Sequence, residues 1–134
     1  MLSTSWIHDI NYRLGSNLAN ARSFGSGLVS YLLASLQQAK SGASQAGLFH
    51  SPATKLVYIS GHDSQILYTQ RLLGLSWLAA GWNYDATPFG ATLGFEVWRN
   101  RTTGQYLLNA FVEMQVGYDL TPIPEQCSLS SVYP

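Results

Sequence analysis

Apolar residues recur at helical spacing in two segments of the first half of the chain. Over roughly residues 20 to 40, an apolar residue falls at every fourth position, which is the spacing of one face of an α-helix. The residues of that face are Phe24, Leu28, Leu32 and Leu36. A second helix is predicted over about Ser64 to Leu73, and Gly74 is expected to end it, because glycine readily takes the left-handed conformation found after helix ends. A shorter apolar pattern near the start predicts a helix that ends at Gly15.

Three further segments have the pattern of β-strands. The nearly continuous apolar run Leu56 to Ser60 predicts a short strand that is covered on both faces. Apolar residues alternate with others over Ala91 to Trp98 and over Gln105 to Met114, and turn-forming residues join the two, so an antiparallel hairpin is expected. Residues 75 to 90 are predicted to form a loop, and the proline-bearing tail from Thr121 is predicted to be irregular.

The composition of the chain argues against some classes of binding partner. The 134 residues fit one domain or part of one, and only 10% of them are charged, against about 25% in an average globular domain. So few charges suggest that part of the surface packs against other protein. Seven basic residues balance seven acidic ones, which argues against a nucleic-acid partner or an acidic membrane face. The sequence has no apolar run near the roughly 20 residues of a membrane span, and we expect no signal peptide at its start.

The strongest candidate chemistry lies where the predicted strand meets the predicted helix. His62 and Asp63 follow the apolar run directly and precede the helical pattern. Open α/β sheets place their active sites at this junction, where the first backbone N–H groups of the helix can also bind an anion. The alternative is structural: Asp63 or Ser64 would cap the helix, worth about 1 kcal/mol, and His62 would be a turn residue.

Other chemistry-bearing residues have structural alternatives of their own. Trp77, Trp82 and Tyr84 could stack on a ligand, but packing over a core is the more common role of such aromatics. Glu96 on its strand is expected to face solvent or to pair with a basic residue. Cys127 is either an inert thiol or half of a disulfide with a partner outside this chain.

Neither a metal nor an organic cofactor is predicted. No Cys/His cluster has the spacing of metal ligands, and no glycine-rich phosphate loop occurs. A sequon for N-glycosylation, Asn100-Arg101-Thr102, lies in the predicted hairpin loop, although sequons are also common by chance.

Several segments together resemble one enzyme family. Tyr58 to Gln65, with the sequence Tyr-Ile-Ser-Gly-His-Asp-Ser-Gln, is similar to the C-terminal signature of the histidine acid phosphatases, the branch that includes phytases and glucose-1-phosphatases. Further segments resemble the family in the same order: Leu72 to Trp77, Thr87 to Gly90, Phe95 to Trp98 and the tail segment Cys127 to Leu129. The resemblance covers roughly residues 20 to 115. Because Asp63 follows the histidine directly, it favours the acid-phosphatase branch over the mutase branch.

The resemblance implies a fold and a chemistry. The expected fold is the C-terminal part of an α/β sandwich domain, with helices on a central sheet and a C-terminal β-hairpin. Residues 1 to 134 would be a partial domain, with an irregular tail over 116 to 134. The expected activity is phosphomonoester hydrolysis through a phosphohistidine, in which His62 binds phosphate and Asp63 protonates the leaving alcohol. Both roles make physical sense, because phosphoryl transfer needs donors around a spreading negative charge and an alcohol leaves with a proton.

One half of the family's active site has no counterpart in the sequence. The nucleophilic histidine of the family lies in an N-terminal Arg-His-Gly-x-Arg-x-Pro motif, whereas none of His8, His50 and His62 is followed by glycine. We therefore expect the chain to be inactive alone, with a phosphorylated small molecule as substrate and the missing N-terminal part of the enzyme as a candidate partner. The alternative is a non-catalytic truncated paralogue that binds phosphate ligands or a partner chain. For the full-length protein, the resemblance suggests a secreted, periplasmic or lysosomal location.

Overall fold

The computed structural model describes residues 17–79, 81–82 and 84–114, together with the backbone of residues 127–128. The chain divides into two compact units, Met1–Leu75 and Ser76–Pro134. The first is helical where it is described, and the second is a loop followed by an antiparallel sheet. Helices and sheet together confirm the α/β class. The helix predicted to end at Gly15 lies outside the described residues.

The first predicted helix is present and contains one irregular turn. It starts as α1 (Leu18–Asn20), widens into a π-helical turn (Ala21–Gly25) and continues as α2 (Ser26–Ser41). Asn17 caps the start, because its side-chain oxygen accepts a hydrogen bond from the backbone N–H of Ala19 at 2.9 Å. Gly42 ends α2 in the left-handed conformation, with φ of 70°.

The second predicted helix, α3 (Asp63–Leu73), forms within one residue of the expected start. Gly74 ends it with φ of 65°, as predicted from the sequence. This helix packs against the π-helical turn, where Gly25 is buried. A Cβ atom at Gly25 would lie 2.7 Å from the Cβ of Tyr68, so the absent side chain permits the close approach of the two backbones. Leu67 of α3 is buried as well.

The strand predicted over Leu56 to Ser60 is not formed. No residue from 54 to 62 is assigned to a strand, and the side chains of Leu56 and Tyr58 are 82% and 79% exposed. A strand that is apolar on both faces requires neighbouring strands for its backbone hydrogen bonds and further layers for its side chains. Each strand in the described part of the chain belongs to the other unit and pairs within it. The segment Leu56 to Ser60 therefore has the sequence pattern of a strand, but no described strand forms hydrogen bonds with it.

In the second unit, a buried aspartate organises the loop before the sheet. Oδ1 of Asp85 accepts hydrogen bonds from the backbone N–H of Trp77 at 2.9 Å and from the hydroxyl of Ser76 at 3.0 Å. The indole N–H of Trp77 donates to the carbonyl oxygen of Ala86 at 2.8 Å. Trp77 is buried by these contacts, which assigns it to packing, whereas Tyr84 remains exposed and its hydroxyl accepts a hydrogen bond from Ser76.

The predicted hairpin is confirmed. Strand β1 (Thr92–Arg99) pairs antiparallel with β2 (Tyr106–Glu113), and Phe95 lies opposite Ala110 in the register. Gly94 lies under the ring of Phe111, in space that any side chain at this position would need. The tail predicted to be irregular contributes a short strand, β3 (Cys127–Ser128), which pairs with the far edge of β2. The rest of that tail lies outside the described residues.

Candidate functional site

His62 and Asp63 lie together where α3 begins. His62 is the residue before the helix, with an extended backbone (φ −105°, ψ 168°), and Asp63 is the first helical residue. The His62 side chain is exposed and Asp63 is half-buried. The change from extended to helical backbone falls between the two residues, one position earlier than the start at Ser64 that the sequence predicted. The imidazole and the carboxyl therefore leave the chain from adjacent positions at one helix end.

Gln65 fixes the backbone of the histidine. Its side-chain oxygen Oε1 accepts a hydrogen bond from the backbone N–H of His62 at 2.7 Å, and its own backbone N–H donates to the His62 carbonyl oxygen at 3.1 Å. In a capping box, the side chain of the third helical residue accepts a hydrogen bond from the backbone N–H of the N-cap residue, as Gln65 does here. The sequence contains the relevant pattern, a glutamine three residues after the N-cap, which would have identified this role of Gln65.

The structural alternative for this pair is wrong in its simplest form. The N-cap residue is His62 and not Asp63 or Ser64, and His62 forms a capping box with Gln65. Asp63 stands in the first turn, where a negative charge gains about 0.3–1 kcal/mol from the partial positive charge of the helix end. His62 thus holds the N-cap position, so helix capping accounts for part of its placement, whereas Asp63 is the first residue inside the helix.

The backbone groups of this helix end are less available to an anion than the sequence suggested. The N–H of Ser64 donates to Oδ1 of Asp63 at 2.7 Å, and the N–H of Gln65 donates to the His62 carbonyl. Two of the first N–H groups are therefore engaged within the turn. The exposed His62 imidazole is a further possible donor to an anion at this position.

His50 is held in a structural network remote from this pair in sequence. Its Nε2 lies 3.0 Å from the hydroxyl of Ser35, and its Nδ1 lies 3.1 Å from Nε2 of Gln38. Gln38, which is 1% exposed, also donates to the His50 carbonyl and accepts from the N–H of Gln45. These bonds fasten the loop after α2 onto the helix and occupy both ring nitrogens. His8 lies outside the described residues.

The described residues contain no candidate metal site. Among residues 17–79, 81–82, 84–114 and 127–128, no group of three or more His, Cys, Asp or Glu side chains could hold a metal ion. Within the same part of the chain, every helix is too short or too polar to cross a membrane. Glu96, the remaining candidate, is exposed on β1 and accepts hydrogen bonds from Trp98 and Asn109.

Comparison with known proteins gives the family. The sequence profile of the histidine phosphatase superfamily (branch 2) matches residues 1–115, which is most of the chain. The chain belongs to this family. Among curated proteins and among solved structures, nothing matches the chain. The histidine phosphatase match contains α1 to α3, the pair His62–Asp63 and the hairpin, and it supports hydrolase chemistry of the phosphatase type.

Proposed function

We propose that this chain carries the proton-donor half of a phosphomonoester-hydrolysing site of the acid phosphatase or phytase type. The observation that supports the proposal most directly is the placement of His62 and Asp63 at the start of α3 in a histidine phosphatase. The substrate is a phosphorylated small molecule. The nucleophilic histidine comes from an Arg-His-Gly-x-Arg-x-Pro segment, which the 134-residue sequence does not contain.

In the proposed reaction, each half of the site has its own task. The nucleophilic nitrogen forms a bond to phosphorus while the bond from phosphorus to the leaving oxygen breaks. His62, as an imidazolium, donates to a phosphoryl oxygen and stabilises the charge that spreads over the group. The carboxyl of Asp63 gives its proton to the leaving alcohol, and water then hydrolyses the phosphohistidine. A carboxyl beside a bound phosphate keeps its proton more readily, because the two negative charges repel each other.

The exposed apolar segment supports the idea that another polypeptide segment completes the site. Val57 and Ile59 are 40% and 44% exposed, and their neighbours Leu56 and Tyr58 are more exposed still. Burying such side chains gains about 1.5–3 kcal/mol for each, so a strand placed beside this segment would be held firmly. The same strand would position its own residues at the carboxyl end of the segment, next to His62.

A second function follows from the absent nucleophile motif. A chain with His62 and Asp63 but without the Arg-His-Gly motif could bind phosphate ligands, or a partner chain, without turnover. This non-catalytic hypothesis predicts phosphate binding by the isolated chain, which isothermal calorimetry would detect, and a phosphate complex that His62→Ala abolishes.

Two preparations separate the hypotheses. The first is the chain alone, tested on an aryl phosphate at pH about 5. The second is a hybrid in which this chain is joined to the N-terminal part of an active histidine phosphatase of the same branch. We expect no turnover from the chain alone and turnover from the hybrid. Hydrolysis by the chain alone that His62→Ala abolishes, or a folded hybrid with no turnover, would contradict the proposal.

A further inference from the structure

The end of the hairpin carries a feature that phosphoryl transfer does not use. Asn100-Arg101-Thr102 is the one Asn-x-Ser/Thr sequence among the 134 residues, and it lies in the loop between β1 and β2. Asn100 and Thr102 are both exposed. Exposure in a loop is a requirement for modification of such a sequence, although it does not distinguish a used sequon from a chance one.

The backbone of this loop is well fixed by hydrogen bonds. The N–H of Asn100 donates to the carbonyl oxygen of Gln105 at 2.8 Å, which continues the hairpin ladder by one pair beyond β1. The N–H of Gly104 returns a hydrogen bond to the Asn100 carbonyl at 2.9 Å, and Gly104 takes the left-handed conformation with φ of 72°. A closed loop with glycine at this position is a common way to join two antiparallel strands. Asn100 therefore has a defined orientation relative to β1.

The side chain of Asn100 presents its nitrogen to solvent. Its oxygen Oδ1 accepts two hydrogen bonds, from the backbone N–H of Thr102 at 2.8 Å and from that of Thr103 at 3.0 Å. Two donors on the oxygen fix which end of the amide faces the turn. Nδ2 consequently points away from the backbone, and within residues 84–114 it has no hydrogen-bond partner. Nδ2 is the atom that N-glycosylation modifies.

An exposed aromatic ring lies on the same face of the hairpin. Trp98 precedes Asn100 by two residues, and side chains two apart along a strand share a face. The indole is 59% exposed, and its N–H donates to Oε2 of Glu96 at 2.9 Å, which holds the ring in place. Leu107, directly opposite Trp98, is 63% exposed.

Arg99, the basic residue that directly follows Trp98, lies on the other face of the hairpin. The guanidinium of Arg99 lies over the ring of Tyr106 at 5.8 Å, and this pair occupies the opposite face of the hairpin. The surface beside Asn100 therefore presents the exposed Trp98 and Leu107 side chains, with the carboxylate of Glu96 at the edge of the indole and Arg101 in the loop.

We propose that Asn100 is an N-glycosylation site and that the first sugar of its glycan packs against Trp98 and Leu107. The donor is an oligosaccharide linked to a lipid diphosphate. Nδ2 of Asn100 forms a bond to the anomeric carbon of the sugar, the bond from that carbon to the diphosphate oxygen breaks, and the diphosphate leaves with the electron pair. The proton lost from Nδ2 goes to a base of the transferase. The C–H face of the sugar then covers the indole, which is a favourable contact for an aromatic ring.

Expression of the full chain behind a cleavable secretion leader in yeast tests the site. We expect the secreted chain and its Thr102→Ser variant to show a mass increase that peptide-N-glycosidase removes, and Asn100→Gln and Thr102→Ala to show none. Gly42→Asn, combined with Asn100→Gln, is the positive control. It creates a sequon with Ala43 and Ser44 in an exposed loop, at a left-handed position that asparagine tolerates. Modification of that control without modification of Asn100 in the original chain would overturn the proposal.

The contact with the sugar is tested by thermal denaturation of the glycosylated and enzymatically deglycosylated chains. We expect glycosylation to raise the melting temperature and Trp98→Ala to remove most of that rise. Leu108→Ala is the matched control, because Leu108 is also 59% exposed but lies on the opposite face. A rise of equal size in the Trp98→Ala chain would overturn the proposed packing.

Discussion

At the scale of single residues, Gln65 connects helix formation to the site. Its side chain accepts the His62 N–H at 2.7 Å, so it both supports the start of α3 and sets the backbone from which the imidazole leaves. A helix could begin with many residues at this position. Because Gln65 fixes the backbone beside the His62–Asp63 pair, we propose that it also positions the His62 imidazole.

We predict that Gln65→Ala lowers the free energy of unfolding by about 0.5–1.5 kcal/mol, because the His62 N–H loses its acceptor. Gln65→Glu should retain most of that stability, since a carboxylate oxygen can accept the same bond. Gln37→Ala, at an exposed position of α2, is the control and should have little effect. Urea denaturation of the three variants measures the difference, and equal loss in Gln65→Ala and Gln37→Ala would contradict the role.

Some residues could be assigned from the sequence and others could not. The helix that begins at Asp63 could be predicted to within one residue because its pattern is local, whereas the strand predicted before His62 is not formed. Gln38 could not be recognised as a buried residue, because its burial depends on partners 7 and 12 residues away, Gln45 and His50. Most buried polar side chains have hydrogen-bond partners, and whether partners are within reach depends on tertiary structure.

At the scale of elements, the contact between the π-helical turn and α3 depends on one glycine. By helix propensity alone, Gly25 and Gly27 would each weaken the helix by a similar amount. The structure separates them: a Cβ at Gly25 would lie 2.7 Å from Tyr68 Cβ, whereas a Cβ at Gly27 would meet nothing within 4 Å. Helix periodicity identified the element but did not show which of its glycines touches a neighbouring helix.

Two alanine substitutions should therefore have opposite effects. Gly25→Ala is expected to lower the free energy of unfolding by about 1–3 kcal/mol, because the new methyl group overpacks against Tyr68. Gly27→Ala should raise it by about 0.5–1 kcal/mol, since alanine loses less backbone entropy in a helix. Thermal denaturation followed by circular dichroism compares the two variants. Stabilisation by both substitutions would mean that the close helix approach is not maintained in solution.

At the scale of the whole molecule, the segment Leu56 to Ser60 shows that a strand-like pattern does not by itself predict a strand. The hairpin was predicted correctly because its two strands are adjacent in the chain and satisfy each other's hydrogen bonds. The run before His62 has an equally strong strand pattern, yet its side chains are exposed and no described strand pairs with it. A pattern of residues can indicate a buried strand, but only neighbouring strands can bury it. The same segment leads to His62 and Asp63, the half-site that we propose for this chain.

We propose that Asp63 donates a proton to the leaving group. In the hybrid enzyme, this role is tested by comparing the effect of Asp63→Asn on kcat for substrates with poor and with good leaving groups. An alkyl phosphate releases a poor leaving group that needs the proton, whereas a nitrophenyl phosphate releases a stable anion that does not. We predict that Asp63→Asn lowers kcat on the alkyl phosphate by about 10²–10⁴-fold and has a much smaller effect on the nitrophenyl phosphate. An equal loss on both substrates, with the hybrid's fold unchanged by circular dichroism, would contradict the assignment of Asp63.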